Sequence, residues 1–240
     1  MKNLDELITN TKLEYKNDFE GKVVAFVHAK GTSMRVPSKN MKILGDKPLF
    51  CHAIENAKAA KLVDAVIIDS DSEEILEIGE KYGALPLKRP KDLATNLATG
   101  DDLAYWQAAN IPLSKIVVQV IPTAPFLSPN SIDNAIRILL EFPKIDSVAG
   151  VYEDALYLWN NGRPDYYNLD GTIPNSVDLK TTVYETTGLY ANYTLSVLNT
   201  RRRLNSNNCR ACVLNKIESV DINTIEDLEF AEILWKGLHN

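Results

Sequence analysis

The feature that most constrains this chain is the recurrence of short apolar runs between amphipathic segments. VVAFV at Val23–Val27, AVIID at Ala65–Asp69 and KIVVQV at Lys115–Val120 are strand-length, rich in β-branched residues and bounded by polar turns. Runs of this kind read as strands buried on both faces, and the amphipathic stretches between them as crossover helices. The rhythm therefore predicts an α/β fold, a Rossmann-like, mostly parallel sheet with helices on both faces. Strands are expected at Val23–His28, Ala65–Asp69, Ala84–Leu87, Lys115–Val120, Ser147–Val151, Thr187–Ala191 and Lys216–Asp221. Helix starts are marked by Pro48 in Lys47–Lys61, by a capping box in DSEE at Asp71–Glu74, by Ser128 ahead of Pro129, and by Thr224 with Asp227 three residues on.

At 240 residues the chain suits one domain, residues 22–240, after an extension at 1–21 read as a surface helix or a disordered segment. Within the domain, YEDALYLWNNGRPDYYN at 152–168 contains Asn161-Gly162, the strongest short hairpin signal. It predicts a protruding β-hairpin arm. Its aromatic density suggests the contact of a homodimer, the plainer alternative being a hairpin folded onto its own domain.

Charge and composition narrow the partners. The net charge of −6 argues against nucleic acid and against an anionic membrane, which both require a broad basic surface. No apolar stretch approaches the roughly 20 residues of a membrane span, and MKNLDELITN is too acidic for a signal sequence, so a cytoplasmic location is expected. Three cysteines leave at least one unpaired, and they read as reduced thiols.

Positive charge is instead local. AKGTSMRVPSKN, from Ala29 to Asn40, follows the first strand, where an open α/β sheet presents backbone N–H groups to anions. Lys30, Arg35, Lys39 and Lys42 cluster there, with Gly31 allowing close backbone approach and Ser33 offering a donor. A nucleoside triphosphate, with about four negative charges, needs such a surface. A solvated basic loop is the plain alternative. The spacing fits neither the P-loop nor the dinucleotide pattern.

AKGTSMRVPSKN followed by GDKPLF resembles the nucleotide-binding signature of the CMP-sugar-acid synthetase family, the acylneuraminate and ketodeoxyoctonate cytidylyltransferases. VIIDSDSEEILEIGEKYGA, KRPKDLATN, QVIPTAPFL, TTVYETTGLYA and SVDINTIEDLEFAE are similar to later blocks of the same family in the same order, out to Glu232. The resemblance implies a fold of the nucleotide-diphosphosugar-transferase type and transfer of CMP from CTP to a small acidic acceptor, with Mg²⁺ as cofactor and pyrophosphate as product. A 2-keto-3-deoxy sugar acid of the sialic or ketodeoxyoctonate type is the leading acceptor.

Carried over by position, the resemblance implies that Lys30, Arg35, Lys39 and Asp221 are catalytic. Ala29, Gly31, Ser33, Asn40, Asp71, Arg89 and Gln119 would bind nucleotide beside Lys30 and Lys39, with Asn40 and Arg89 at the cytosine. Asp221 and Asn223 would hold the metal. Tyr184, Glu185 and Gly188 fall in the acceptor half. Several alternatives stand beside these roles: Asp221 as a helix-capping acid, Asp71 as an N-cap, Arg89 paired with a surface acid, Gln119 satisfying strand-end backbone.

Departures decide how far substrate identity carries over, the nucleotide half matching better. His28, Met34, Leu127 and Thr187 replace residues usual in the family, Lys30 stands for arginine and Asn223 for aspartate. Glu185 is an unexpected acid, suited to an acceptor with an amino group. TRRRLN adds a second basic cluster, in which Arg201, Arg202 or Arg203 could grip a carboxylate or phosphonate bidentately. A phosphonate acceptor is therefore the near alternative, and a catalytically inactive nucleotide-binding regulatory protein the distant one.

Overall fold

The computed structural model describes residues 4–9, 18–33, 35–205 and 207–239. Most of the N-terminal extension's middle, at 10–17, and Met34 of the basic loop lie outside the described residues.

Seven strands build the main sheet: β1 (Val23–His28), β2 (Ala65–Ser70), β3 (Leu85–Lys88), β4 (Ile116–Val120), β5 (Ser147–Asp154), β6 (Thr182–Tyr193) and β7 (Cys209–Val213). Their spatial order is β7-β5-β6-β4-β1-β2-β3. β6 runs antiparallel to both β4 and β5, and the other pairs are parallel. The chain winds outward from β1 through β2 to β3, then returns to place β4 on the other side of β1. That reversal opens a crevice beyond the C-terminal ends of β1 and β4.

Alternation along β1 feeds two cores. Ala25 and Val27 pack with α2 (Leu49–Ala59), α3 (Glu73–Lys81) and α5 (Pro129–Glu141). Val24 and Phe26 face the other way, onto α4 (Gly100–Asn110) and α6 (Thr194–Thr200), where Leu7 of the short N-terminal helix α1 (Leu4–Thr9) and Phe19 join them. A third cluster joins Leu44 and Leu49 to Ile222, Leu228 and Ala231, fixing α7 (Ile225–His239) to the start of α2. Ile222 thereby brings the chain's late segment back to the first crossover.

Several expected elements shift for identifiable reasons. The helix expected from Lys47 starts at Leu49, because Lys47–Pro48 pairs with Ile43–Leu44 as a small antiparallel ladder. Ser72, not Asp71, caps α3 by accepting from the Ile75 N–H. Ser128 caps α5 as expected, and Thr224 and Asp227 exchange reciprocal bonds at α7.

The strand expected at Lys216–Asp221 does not form. Asn215 Oδ1 accepts from the N–H groups of Ile217 and Glu218, at 2.9 and 3.1 Å, and folds the segment into a turn. The sheet's final strand is β7, which carries Cys209 and Cys212; these and Cys51 are free thiols. Helix α4 was not expected, although Thr99 and Asp102 form a complete capping box at its start.

The arm is shorter in ladder than expected. Only Trp159–Asn160 and Arg163–Pro164 pair, across a turn with positive φ at both Asn161 (49°) and Gly162 (75°), as a tight two-residue hairpin requires. No helix among the described residues is long and apolar enough to cross a membrane.

Glu218 holds this replacement turn against α5. Its carboxylate accepts from Ser128 N, Ser131 Oγ and Asn215 N, at 2.9, 2.7 and 3.1 Å. Burial alone would raise this carboxyl, but those donors outweigh it and hold it below the usual range. Glu218→Gln is expected to cost about 1–3 kcal/mol by stranding one of these donors, read as a fall in Tm of about 2–4 °C per kcal/mol. An unchanged Tm would mean the turn does not depend on the carboxylate.

Candidate functional site

The crevice is a cleft of about 500 Å³ whose walls include His28 and Lys30, Ser33, Arg35, Lys39 and Asn40 of the basic loop, Arg89 after β3, Asn96 and Ala98 ahead of α4, and Ile121 to Thr123 after β4. Five of the expected nucleotide-contacting or catalytic loop residues thus face one space.

The loop's path is set by polar ties. Asp71 Oδ1 accepts from Gly31 N at 2.8 Å, so the carboxylate expected to cap α3 shapes the anion loop instead. Ala29 is buried with its N–H on Asp69 O, and Asn40 Nδ2 donates to Lys30 O at 2.8 Å. Asn40 therefore holds the loop's backbone, with its side chain almost fully buried. Lys30 Nζ crosses the mouth to Asn96 Oδ1 at 2.7 Å.

Beneath the cleft lies a buried polar row. Arg89 Nε donates to Asp69 Oδ1 at 2.7 Å, Gln107 Nε2 to Asp69 Oδ2 at 2.7 Å, and Gln119 Nε2 to Gln107 Oε1 at 2.8 Å. Arg89 is thus paired with a buried acid rather than a surface one. Gln119 lies under α4 with Oε1 lacking a partner. His28 Nδ1 is likewise buried without one. Burial first, then the charges of Arg89 and Arg203, push the His28 imidazole down to about 3, so the ring is neutral.

The chain's end closes the other side. Lys39 Nζ donates to Ile222 O at 2.8 Å and Arg35 Nη2 to Asn223 Oδ1 at 2.7 Å. Asn223 Nδ2 donates to Asp221 Oδ2 at 2.6 Å, and Thr187 Oγ1 reaches the same oxygen at 3.1 Å. Asp221 Oδ1 is buried and has no partner among the described residues. Burial lowers the Lys39 ammonium pKa, which the Asp221 carboxylate partly opposes. Lys39, on the cleft wall, therefore lies beside Asp221, 182 positions away in sequence. Asp221 does not cap α7, a task left to Thr224 and Asp227.

The acceptor half is arranged differently from the expectation. Arg201 turns to Asp5 at 3.0 Å and lies over the Tyr105 ring, outside the cleft, and Arg202 is exposed beside it. Tyr184 packs edge-on against Tyr152 at the base of the arm, on the face opposite to Glu185. Gly188 is buried where a Cβ would come 2.6 Å from Ala124 Cβ, so its contribution is close packing. Glu185 accepts a hydrogen bond from Tyr190. The arginine near them is Arg203, whose guanidinium lies 3.9 Å from the Tyr190 ring centroid.

Residues outside the expected set also matter. Asp69 and Gln107 organise the buried row, and Asn96 closes the mouth. The capping box at Thr99 was the sequence signal for the helix that carries Gln107; nothing local marked Asp69.

Known proteins resemble this chain in sequence and in fold. The family model described as Cytidylyltransferase matches residues 24–161. The chain is 30% identical over 229 residues to pseudaminic acid cytidylyltransferase of Campylobacter jejuni subsp. jejuni serotype O:23/36, covering 91% of this chain and 98% of that protein. It is 31% identical over 123 residues to CMP-N,N'-diacetyllegionaminic acid synthase of Legionella pneumophila, covering 49% of this chain and 53% of that one. A solved structure of CMP:2-keto-3-deoxy-manno-octonic acid synthetase complexed with CTP superposes with a TM-score of 0.70 over 91% of this chain and 100% of its own, at 15% identity, a likeness of fold.

The neutral His28 yields a pH prediction. Its folded pKa of about 3 lies below the ordinary 6.5, so the unfolded chain gains a proton that the native state refuses as pH falls. The stability it contributes is complete above pH 6.5 and erodes below it. Between pH 7 and 5 the ligand-free protein should lose on the order of 1–2 kcal/mol more than His28→Gln does. Denaturant unfolding of both proteins at the two pH values checks this, and equal losses would contradict it.

Proposed function

Because the chain belongs to the cytidylyltransferase family, we propose that it transfers CMP from CTP to a small acidic acceptor, a 2-keto-3-deoxy sugar acid, and releases pyrophosphate. The observation that carries this reading is the convergence of Lys39 and Arg35 with Asp221 and Asn223 at one end of a cleft already lined by Lys30 and Ser33. Cations from the first loop and a carboxylate from the chain's end are the charges such a reaction needs.

The acceptor's hydroxyl oxygen attacks the α-phosphorus, and an O–P bond forms as the bond to the β-phosphate oxygen breaks. Pyrophosphate leaves and the hydroxyl proton is released. Lys30, Arg35 and Lys39 stabilise negative charge that builds on the phosphate oxygens, and the loop holds nucleophile and leaving group in line. Arg89 and Asn40 shape the wall at the pyrimidine end of the nucleotide from behind, Arg89 held on Asp69 and Asn40 on the Lys30 carbonyl.

Mg²⁺ fits the Asp221 corner, because a buried carboxylate oxygen without a partner is a ready hard-cation ligand. Asn223 contributes less, since its oxygen already accepts from Arg35. Among the described residues no group of three or more acidic, histidine or cysteine side chains gathers there, so nucleotide phosphates and water would complete the shell. When bound, the ion would neutralise phosphate charge and polarise the reacting oxygens.

The arm supports a homodimer as part of the same reading. Trp159, Tyr166 and Tyr157 of the arm expose 56%, 45% and 41% of their surface, an apolar display suited to a second copy.

Two experiments test the proposal. Pyrophosphate release should require CTP and a sugar acid, and Lys39→Ala should cut it about 100- to 1,000-fold without changing the melting curve. Turnover with aminoalkylphosphonates alone would replace the acceptor class, and firm CTP binding without any turnover would favour a regulatory protein. In light scattering the wild type should have a dimer's mass and Trp159→Glu a monomer's; a monomeric wild type would dismiss the arm contact.

A further inference from the structure

Arg203, beside the start of α4, is held more firmly than a surface arginine would be, yet among the described residues its guanidinium makes no hydrogen bond and only a long ion pair, 3.9 Å, with Glu185. It follows α6, whose C-cap Arg201 adopts a left-handed φ of 56° and reverses the chain. The Arg203 N–H then donates to Asp101 Oδ1 at 3.0 Å, pinning this loop to the first turn of α4. Its guanidinium carbon sits over the Tyr190 ring, 3.9 Å from the centroid. On the other side it passes Gly100, where a Cβ would come 2.5 Å from Nη1, so the first residue of α4 must lack a side chain for Arg203 to lie here.

The plane is therefore fixed from two sides. Glu185 stands 3.9 Å away, beyond hydrogen-bond range, and its carboxylate is already engaged by the Tyr190 hydroxyl. Among the described residues no acceptor lies within hydrogen-bond reach of the five guanidinium N–H groups, although the side chain is only 25% exposed.

Its position relates it to the reaction. Gly100 lies in the chain between Ala98 and Leu103, two residues of the cleft wall. Tyr190 stands opposite Gln119 in the β4–β6 ladder, and its hydroxyl feels the Asp221 carboxylate. Arg203 is also close enough to His28 to act on its charge state.

We propose that Arg203 is the residue that receives the acceptor's carboxylate, gripping both oxygens with its guanidinium fork while Tyr190 and Gly100 fix the plane of that fork. The inference rests on the sugar-acid reading above and assigns the acid-recognition task within it. A planar fork presents two parallel donors to a carboxylate, which a lysine ammonium cannot do. Glu185, at the other edge, leaves one side of the fork open to the ligand.

Steady-state pyrophosphate release tests it, with full-length wild type, Arg203→Ala, Arg203→Lys and Gly100→Ala. The probes are pseudaminic acid, N-acetylneuraminic acid, 3-deoxy-manno-octulosonic acid and the methyl ester of whichever is turned over. Arg203→Ala should raise the acceptor KM about 10- to 100-fold, the range of a charged hydrogen bond, while leaving the KM for CTP within about twofold. Wild-type preference for the acid over its ester should shrink by a similar factor. Arg203→Lys should recover only part of the loss, and Gly100→Ala should reproduce the alanine variant with the arginine still present.

An acceptor KM unchanged in a folded Arg203→Ala would overturn this assignment while leaving the sugar-acid reading intact. So would a CTP KM that rises in step with it. Absence of wild-type turnover with all three acids would overturn the reading and the assignment together.

Discussion

One buried carboxylate, Asp69, organises the end of the sheet on which everything else is mounted. It is fully buried, and its two oxygens take Arg89 from the end of β3 and Gln107 from α4, while its carbonyl accepts from Ala29 and from Arg89. A charge so placed is tolerable only when paired and hydrogen-bonded, and removing one partner from such a pair costs about 3–5 kcal/mol. The pair adds little net stability against an apolar substitute. It does tie the first turn of the basic loop to the strand and helix behind it. The same arrangement places Arg89 under the cleft, where its charge helps to keep His28 neutral.

On that floor the chain assembles a site from distant pieces. The cations of the cleft wall come from one loop, but their orientation depends on the late segment: Lys39 is held by Ile222 O, and Ile222 is buried in the cluster that fixes α7. The two expected partners of Asp221, a cation and a helix terminus, turn out to be divided. Thr224 and Asp227 take the capping task, which leaves one Asp221 oxygen free.

Much of this was legible in sequence, and the failures have physical causes. β1 and β4 were clear because burial on both faces makes a strand read as an unbroken apolar run. Ser128 and Thr224 were clear because capping is local. Helix α4 escaped because Ala104, Trp106, Gln107, Ala108, Ala109 and Asn110 are all buried, so its apolar residues form no single stripe and polar ones share the interior. Val220 and Ile222, two positions apart, share one face as strand residues would, but the Asn215 side chain competes for the local N–H groups and wins. Three adjacent arginines offered no means of choosing among them. The choice is made by one left-handed residue at Arg201, which sends its own side chain to Asp5 and Arg203 to Tyr190.

The two halves of the cleft differ in mechanical character. The nucleotide side is anchored to the regular parallel strands through Asp69 and Asp71. The acceptor side rests on β6, whose register against β5 shifts between Glu185 and Tyr190. Within that bulge Thr187 has φ of 58°, a conformation unfavourable for a β-branched residue and costing on the order of 1–3 kcal/mol. Its hydroxyl bond to Asp221 and the tight packing of Gly188 on Ala124 hold it there. The bulge brings Glu185 within reach of Tyr190 on one side and places Thr187 at the Asp221 corner on the other. On the proposed reading, a change of acceptor would be accommodated by altering the bulge and the Arg203 loop, without moving the basic loop proposed to hold the phosphates.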